Sequence, residues 1–292
     1  MEIRTRPEQP QFGAEIAGVD LSAPLDSATI GAIAEAIDRY AVVFFRGQRL
    51  DDAAQLAFCG RFGPLEMPRH NRNKQPRVDP KLADISNLDA ENRIRGANDV
   101  WRMDQFGNQL WHTDASFRRV PAALSMLYAH VVPGEGGDTE FTDLRAAYDA
   151  LPEATKLKIE GLVAEHSIWH SRAQLGFTDF TREELDALPP VPQRVVRLHP
   201  GSKRRTLYLA AHASHIVGWP VPEGRMLLRD LTEHATQREF VYAHKWKAGD
   251  LVIWDNRCTM HRGRAFDGRQ VRDLRRAMTR DVASTLEQPV AA

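Results

Sequence analysis

A chain of 292 residues, 42% of them hydrophobic and 27% charged, can bury a sizeable core, and a β-rich fold of this length fits one domain over residues 1–292. Lysine plus arginine equals aspartate plus glutamate at 39 each, so no net field recruits nucleic acid or an anionic membrane. Two cysteines exclude a disulfide framework and a thiolate metal site, and no signal-peptide core or apolar run of roughly 18 residues is present, so a cytoplasmic protein without nucleic-acid or membrane partners is expected.

The first strand is predicted over 14–21, followed by a helix opening at Ser27, read as its N-cap, with Ile30, Ile33 and Ile37 at helical spacing. The apolar run 41–45 reads as a buried strand. A second helix runs from 51 to about 61, with Cys59 in the apolar pattern of Leu56, Phe58 and Phe62. From 69 to 108 the chain is polar, interrupted by a strand-like stretch over 82–87, and a long polar segment in a compact domain points to an active-site loop over about 67–108. Strands dominate afterwards, over 109–114, 123–132, 139–143, 195–198, 206–210, 240–246, 251–254 and 274–279, with helices over 152–163, 181–188 and 222–235. Many short strands with a few inserted helices predict a mainly β fold, a jelly-roll-like double sheet rather than βαβ repeats.

Chemistry concentrates in two distant segments. In Trp111-His-Thr-Asp114, an extended strand would aim His112 and Asp114 to one face, because strand side chains alternate with period two. His261, in Trp254-Asp-Asn-Arg-Cys-Thr-Met-His261, would complete the two-histidine, one-carboxylate set that holds non-heme Fe(II) and leaves other positions open. A chain with this many histidines and aspartates holds roughly one His-x-Asp by chance, so context decides. That context is Arg272 and Arg276, four residues apart in a stretch able to run as a closing strand, with Asp273 and Arg275 on its other face. Two inward guanidiniums call for two carboxylates, since burying an arginine without an anion is costly. The competing reading is a solvated basic run.

The combination of Trp111-His-Thr-Asp114, Gly136-Gly-Asp-Thr-Glu-Phe141, Trp254-Asp-Asn-Arg257, His261 and the spaced arginines resembles the Fe(II)/2-oxoglutarate enzyme family of taurine dioxygenase and 2,4-dichlorophenoxyacetate dioxygenase. It is more similar to the second branch, through Leu82-Ala-Asp-Ile-Ser-Asn87, Asp143-Leu-Arg-Ala-Ala-Tyr-Asp-Ala-Leu151, Ala211-His-Ala-Ser-His215 and Glu223-Gly-Arg-Met-Leu-Leu228. The resemblance spans nearly the whole chain and fades between 67 and 81, where that family places a substrate-covering loop. It implies a double-stranded β-helix, with Fe(II) on His112, Asp114 and His261. It further implies 2-oxoglutarate with its distal carboxylate on Arg272 and the Thr139 hydroxyl, and the substrate carboxylate on Arg276. Trp254 could line the co-substrate pocket, but a tryptophan closing an apolar strand reads first as core. His70 corresponds loosely to a substrate-anion-binding histidine. The reaction implied consumes dioxygen, converts 2-oxoglutarate to succinate and carbon dioxide, and hydroxylates a small carboxylate-bearing aromatic. For an aryloxyacetate such as 2,4-dichlorophenoxyacetate, a step of herbicide catabolism, this yields a phenol and glyoxylate. The alternatives are a sulfonate or sulfate ester such as taurine, and, outside this chemistry, a non-catalytic metal-binding β-helix or a hydrolase using metal-bound water. The last two leave both arginines without a role.

Other candidates carry less. His166 and His170 have the i,i+4 spacing of zinc ligands on a helix but lack the glutamate of His-Glu-x-x-His. His212, His215 and Cys258 are expected to be structural, and Arg69, Arg72, Lys74 and Arg77 to form a solvated basic loop. A homo-oligomer remains open.

Overall fold

The computed structural model describes residues 3–68 and 77–289. Its centre is a seven-stranded sheet in the order Arg4–Gln9, Phe12–Ala17, Val42–Phe45, Leu251–Asp255, Ala122–Val131, Asp273–Arg280 and Ala83–Asp84. A three-stranded sheet of Val241–His244, Thr139–Asp143 and Thr259–Gly263 packs on its inner face, giving the expected jelly-roll core. Smaller sheets, Ala213–Ile216 with Val163–His166 and Val191–Arg194, and Arg205–Leu207 with Val196–Leu198, extend the body beside helix Val221–Ala235.

Period-two alternation sorts each central strand between two cores. Val43 and Phe45 turn outward to Ile33, Ile37 and Tyr40 of helix Ser27–Tyr40 and to Phe58 and Cys59 of helix Asp52–Cys59. Val42 and Phe44 turn inward to Phe141 and Tyr242 of the small sheet. Leu251 and Ile253 join the outer core and Val252 and Trp254 the inner one. Strands buried on both faces must be apolar throughout, so 41–45 and 251–254 stand out in sequence as unbroken runs. Emptying the Phe44 position to alanine would cost about 3–5 kcal/mol, the usual penalty for an aromatic core cavity.

The closing strand Asp273–Arg280 obeys the same rule. Leu274 faces the inner core, so Arg272, one residue before the strand, and Arg276 face inward with it. Their neighbours point away: Arg275 reaches Asp52 at 2.6 Å, and Asp273 accepts Arg77 at 2.6 Å. Arg77 is therefore no solvated loop cation but a buried clamp between Asp84 and Asp273.

Several expected boundaries are corrected. Asp26, not Ser27, caps the first helix, because its carboxylate accepts the Thr29 N–H at 2.7 Å. Residues 14–21 contribute the strand Phe12–Ala17, which pairs in a hairpin with Arg4–Gln9. Only Ala83–Asp84 of 82–87 pairs, and the polar segment after it contains a helix, Val100–Gln105, capped by Asp99. Residues 109–114 form no strand. Pairing there is confined to a single bridge, His112 with His261, because Asn256 takes the Asp114 N–H and the chain turns at Ala115, whose φ is 51°. Among the described residues no helix is long and apolar enough to cross a membrane.

Candidate metal centre and cavity

His261 lies at the middle of strand Thr259–Gly263, and the His112 bridge docks the second segment on it through backbone bonds of 3.0 and 2.8 Å. This places His112 Nε2 3.7 Å from Asp114 Oδ1 and His261 Nε2 3.7 Å from Asp114 Oδ2, with the imidazole centroids 4.2 Å apart. All three side chains are buried. His112 Nδ1 stands 2.7 Å from the Leu110 carbonyl, which can only accept, so Nδ1 carries the proton and Nε2 keeps its lone pair for the cluster. The His261 ring is held by packing between Trp254, at 4.6 Å, and Phe141, at 5.9 Å, and its buried Nδ1 has no partner among the described residues.

Electrostatics favour the unprotonated imidazoles. Burial lowers both histidine pKa values, that of His261 well below 6.5, although Asp114 pulls upward. Burial alone would raise the Asp114 carboxyl, but the Arg276 guanidinium, 2.6 Å from Oδ1, outweighs it together with the two imidazoles, so the net shift is downward. Two neutral imidazoles and one carboxylate, their ligand atoms within 4.8 Å of one another, form a donor set for a divalent cation.

Beside the cluster opens a cavity of about 230 Å³, lined by His112, His261 and Trp254 and also by Thr139 and Arg272. Among the described residues its lining contains four arginines, Arg102, Arg264, Arg272 and Arg276, and no aspartate or glutamate. Arg272 is the telling member. It is 9% exposed, and its guanidinium reaches only the Ile85 and Gly137 carbonyls, both at 3.4 Å, with the Phe266 ring 5.6 Å away. Burial pushes its pKa down to about 10, and among the described residues no carboxylate pairs with it. Thr139 lines the same cavity. Trp246 Nε1, a donor only, occupies the oxygen at 3.0 Å, so the threonine proton is left for another acceptor. Trp254 is 1% exposed within the inner core and also lines the cavity.

A smaller lobe of about 110 Å³ opens on the other side of Asp114, lined by Phe117, Ile168, Met278 and His212, and Arg276 borders both lobes. His212 is expected to be structural. Its Nδ1 does bond Ser171 at 2.9 Å, yet its ring sits 6.1 Å from His112 and edge-on to Phe117, so it also walls this lobe. His215 stays at the periphery, bonded to Ser214. His166 ends a strand and His170 rides the next helix, so the pair shares no helix face, consistent with the missing glutamate. Cys258 is buried beside His199 and Asp255, and Asp255 is already held by Arg257 and His199. His70, with Arg69, Arg72 and Lys74, lies outside the described residues.

Helix Val100–Gln105 and the turn Phe106–Gln109 roof both lobes. Sequence reasoning missed this helix, although Asp99 before Val100 is an N-cap signal. Two glycines hold it down by having no Cβ. A Cβ on Gly268 would meet Arg102 Nη2 at 2.8 Å, and one on Gly107 would collide with Arg172, which binds Asp104 of the same helix at 2.8 Å.

Comparison with known proteins agrees with this architecture. The description "taurine catabolism dioxygenase TauD, TfdA family" matches residues 4–278. The chain is 49% identical over 287 residues, 97% of its length and 99% of the relative's, to the alpha-ketoglutarate-dependent 2,4-dichlorophenoxyacetate dioxygenase of Cupriavidus pinatubonensis. It is 38% identical over 269 residues, 89% of each chain, to the (S)-phenoxypropionate/alpha-ketoglutarate-dioxygenase of Sphingobium herbicidovorans. The crystal structure of AAD-2 in complex with Mn(II) and N-oxalylglycine superposes with a TM-score of 0.92 at 47% identity, covering 98% of this chain and 100% of that one.

Proposed function

The chain belongs to the taurine catabolism dioxygenase TauD, TfdA family, as an Fe(II)- and 2-oxoglutarate-dependent dioxygenase, and we propose that it cleaves an aryloxyacetate to a phenol and glyoxylate. The observation that carries the reading is Arg272, a buried cation with no anion of its own in a cavity that also borders the His112, Asp114 and His261 cluster. A dicarboxylate with one end at the metal and the other on Arg272 and Thr139 supplies the missing charge.

In this reading His112, Asp114 and His261 hold Fe(II), which supplies the reduction of dioxygen. Arg272 and the free Thr139 proton fix the distal carboxylate of 2-oxoglutarate, and Trp254 walls the co-substrate against the inner core. Arg276 spends one nitrogen on Asp114 and turns the rest of its fork to the carboxylate of the organic acid, whose ring lies against Phe117, Ile168 and Met278. Held so, the side-chain methylene faces the metal. Bound Fe(II) and 2-oxoglutarate would supply the oxygen atom that hydroxylates this methylene, with succinate and carbon dioxide as co-products, and the resulting hemiacetal would break down to phenol and glyoxylate. The protein's own contribution is positioning and exclusion of water beneath the roof of Val100–Gln105. The smaller lobe mixes Phe117, Ile168 and Met278 with Asp104, Arg118 and Arg172, and the support for an aryl acid over a sulfonate such as taurine is the 49% identity to a 2,4-dichlorophenoxyacetate dioxygenase.

Anaerobic titration of the metal-free protein with Fe(II) and 2-oxoglutarate should develop a visible charge-transfer band. Admitting oxygen with an aryloxyacetate should release phenol, glyoxylate and succinate in equal amounts. A band without phenol from any aryloxyacetate removes the substrate assignment, and no band removes the cofactor assignment.

A further inference from the structure

Asp114 is enclosed by a closed ring of hydrogen bonds to which none of the assignments above gives a role. Its Oδ2 lies 2.7 Å from Ser125 Oγ, Ser125 Oγ lies 2.9 Å from Asn256 Nδ2, and Asn256 Oδ1 lies 3.1 Å from the Asp114 backbone nitrogen. Asn256 Oδ1 also meets Trp254 Nε1 at 3.1 Å. Ser125 and Asn256 are fully buried, on neighbouring strands of the large sheet or just beyond their ends.

The direction of every bond in the ring is determined. The Asp114 N–H and the indole N–H can only donate, so the atom between them is the amide oxygen of Asn256 and its flip is fixed. The opposite end of that amide must donate, so Ser125 accepts, and the one serine proton is left for the carboxylate. Rotating Asp114 about either side-chain torsion breaks the serine bond, leaving a buried donor and acceptor unpaired.

We infer that Ser125 and Asn256 are positioning residues that hold the Asp114 carboxylate in its metal-binding orientation, with Asn256 setting the Trp254 indole in the same act. This rests on the reading that His112, Asp114 and His261 hold a divalent ion. Partners that orient a ligand are worth roughly 10- to 100-fold in metal affinity.

The test titrates Co(II) into the metal-free protein without co-substrate, following the visible ligand-field absorption and the dissociation constant by calorimetry, with the metal-free melting temperature measured alongside. Wild type should bind one Co(II) and Asp114→Ala should not. If wild type binds none, or Asp114→Ala binds equally well, the metal reading itself fails. Ser125→Ala should weaken Co(II) binding roughly 10- to 100-fold and shift the absorption band. Asn256→Asp, of the same shape, should do likewise by drawing the serine proton away from Asp114, and serves where Ser125→Ala does not fold. A purely structural ring would lower the metal-free melting temperature and leave band and affinity unchanged. Either folded variant retaining both the wild-type constant and the wild-type band overturns the inference while leaving the metal site intact.

Discussion

Arg272→Met should act with opposite signs on the empty and the loaded protein. Burial lowers the guanidinium pKa from 12.5 to about 10, and at about 1.4 kcal/mol per pH unit the charged form is disfavoured by about 3 kcal/mol relative to water. Methionine keeps much of the arginine stem, removes that charge, and gives up only two long contacts to carbonyls at 3.4 Å. Allowing for those, the metal-free, co-substrate-free variant should be more stable than wild type by about 1–2 kcal/mol, a rise of a few degrees in Tm. In the loaded protein the sign reverses. Losing one partner of a buried charge pair costs about 2–5 kcal/mol, roughly 30- to several-thousand-fold in 2-oxoglutarate affinity. At a concentration of 100 times the wild-type Kd, 2-oxoglutarate stabilises wild type by about 2.7 kcal/mol and the variant by little. Thermal scans of the metal-free protein and of the protein with Mn(II) and 2-oxoglutarate should therefore cross over, and anaerobic calorimetry gives the affinities directly. An unchanged 2-oxoglutarate Kd in the variant would refute the clamp, and a lower Tm for the empty variant would refute the account of Arg272 as an uncompensated buried charge.

Three further outcomes are expected. Arg276→Gln should raise KM for the aryloxyacetate, lower kcat, and increase succinate relative to phenol, because a loosened substrate loses its near-attack position; a wild-type kcat/KM and product ratio would move the substrate anion elsewhere. Gly268→Ala brings a methyl group to within 2.8 Å of Arg102 Nη2, the tip of a flexible side chain that can move aside, so the roof should loosen and KM for both acids should rise with little loss of stability; unchanged KM values would show that Arg102 does not hold the roof. His166 is buried, and desolvation, reinforced by His170, lowers its pKa from 6.5 to about 3. The unfolded chain then takes up a proton near pH 6.5 that the folded state refuses, so stability is lost as pH falls below about 6.5, by about 1.4 kcal/mol per pH unit from this group. Urea unfolding of the metal-free protein at pH 7.5 and 5 should show a smaller drop for His166→Phe than for wild type, and equal drops would clear His166 of the effect.

The parts of the fold legible in sequence are those where one physical requirement dominates. Val42–Phe45 and Leu251–Asp255 are sandwiched between two cores and are apolar at nearly every position, which no loop tolerates. The strand Thr259–Gly263 that bears His261 escaped notice for a related reason. Its first three residues are all buried, but as Thr, Met and His, of which only Met260 packs in a hydrophobic core, so neither alternation nor an apolar run shows. The segment 109–114 failed in the opposite direction. A strand was expected there to bring His112 and Asp114 together, whereas one bridge and a turn do so, with an asparagine side chain taking over the backbone bond that a strand would have made. His112, Asp114 and His261 do converge, but through a different local structure from the one expected.

The arginines show how far alternation alone can reach. Period two places Arg272 and Arg276 on one face and Asp273 and Arg275 on the other, and the structure keeps that division, pairing the outward residues with Arg77 and Asp52. What alternation cannot supply is the difference between the two inward residues. At the strand rise of about 3.3 Å per residue they lie roughly 13 Å apart along the chain, too far to share one carboxylate, and their surroundings diverge accordingly. Arg276 meets the Asp114 carboxylate at 2.6 Å, while Arg272 meets only carbonyls. On the reading proposed above, a cation already tied to the Asp114 carboxylate turns its remaining nitrogens to a second anion beside the cluster, and a cation with no counter-charge among the described residues takes one that arrives with the co-substrate. The proposed assignment of substrate to Arg276 and co-substrate to Arg272 thus draws its support from three-dimensional charge pairing, which alternation alone does not encode.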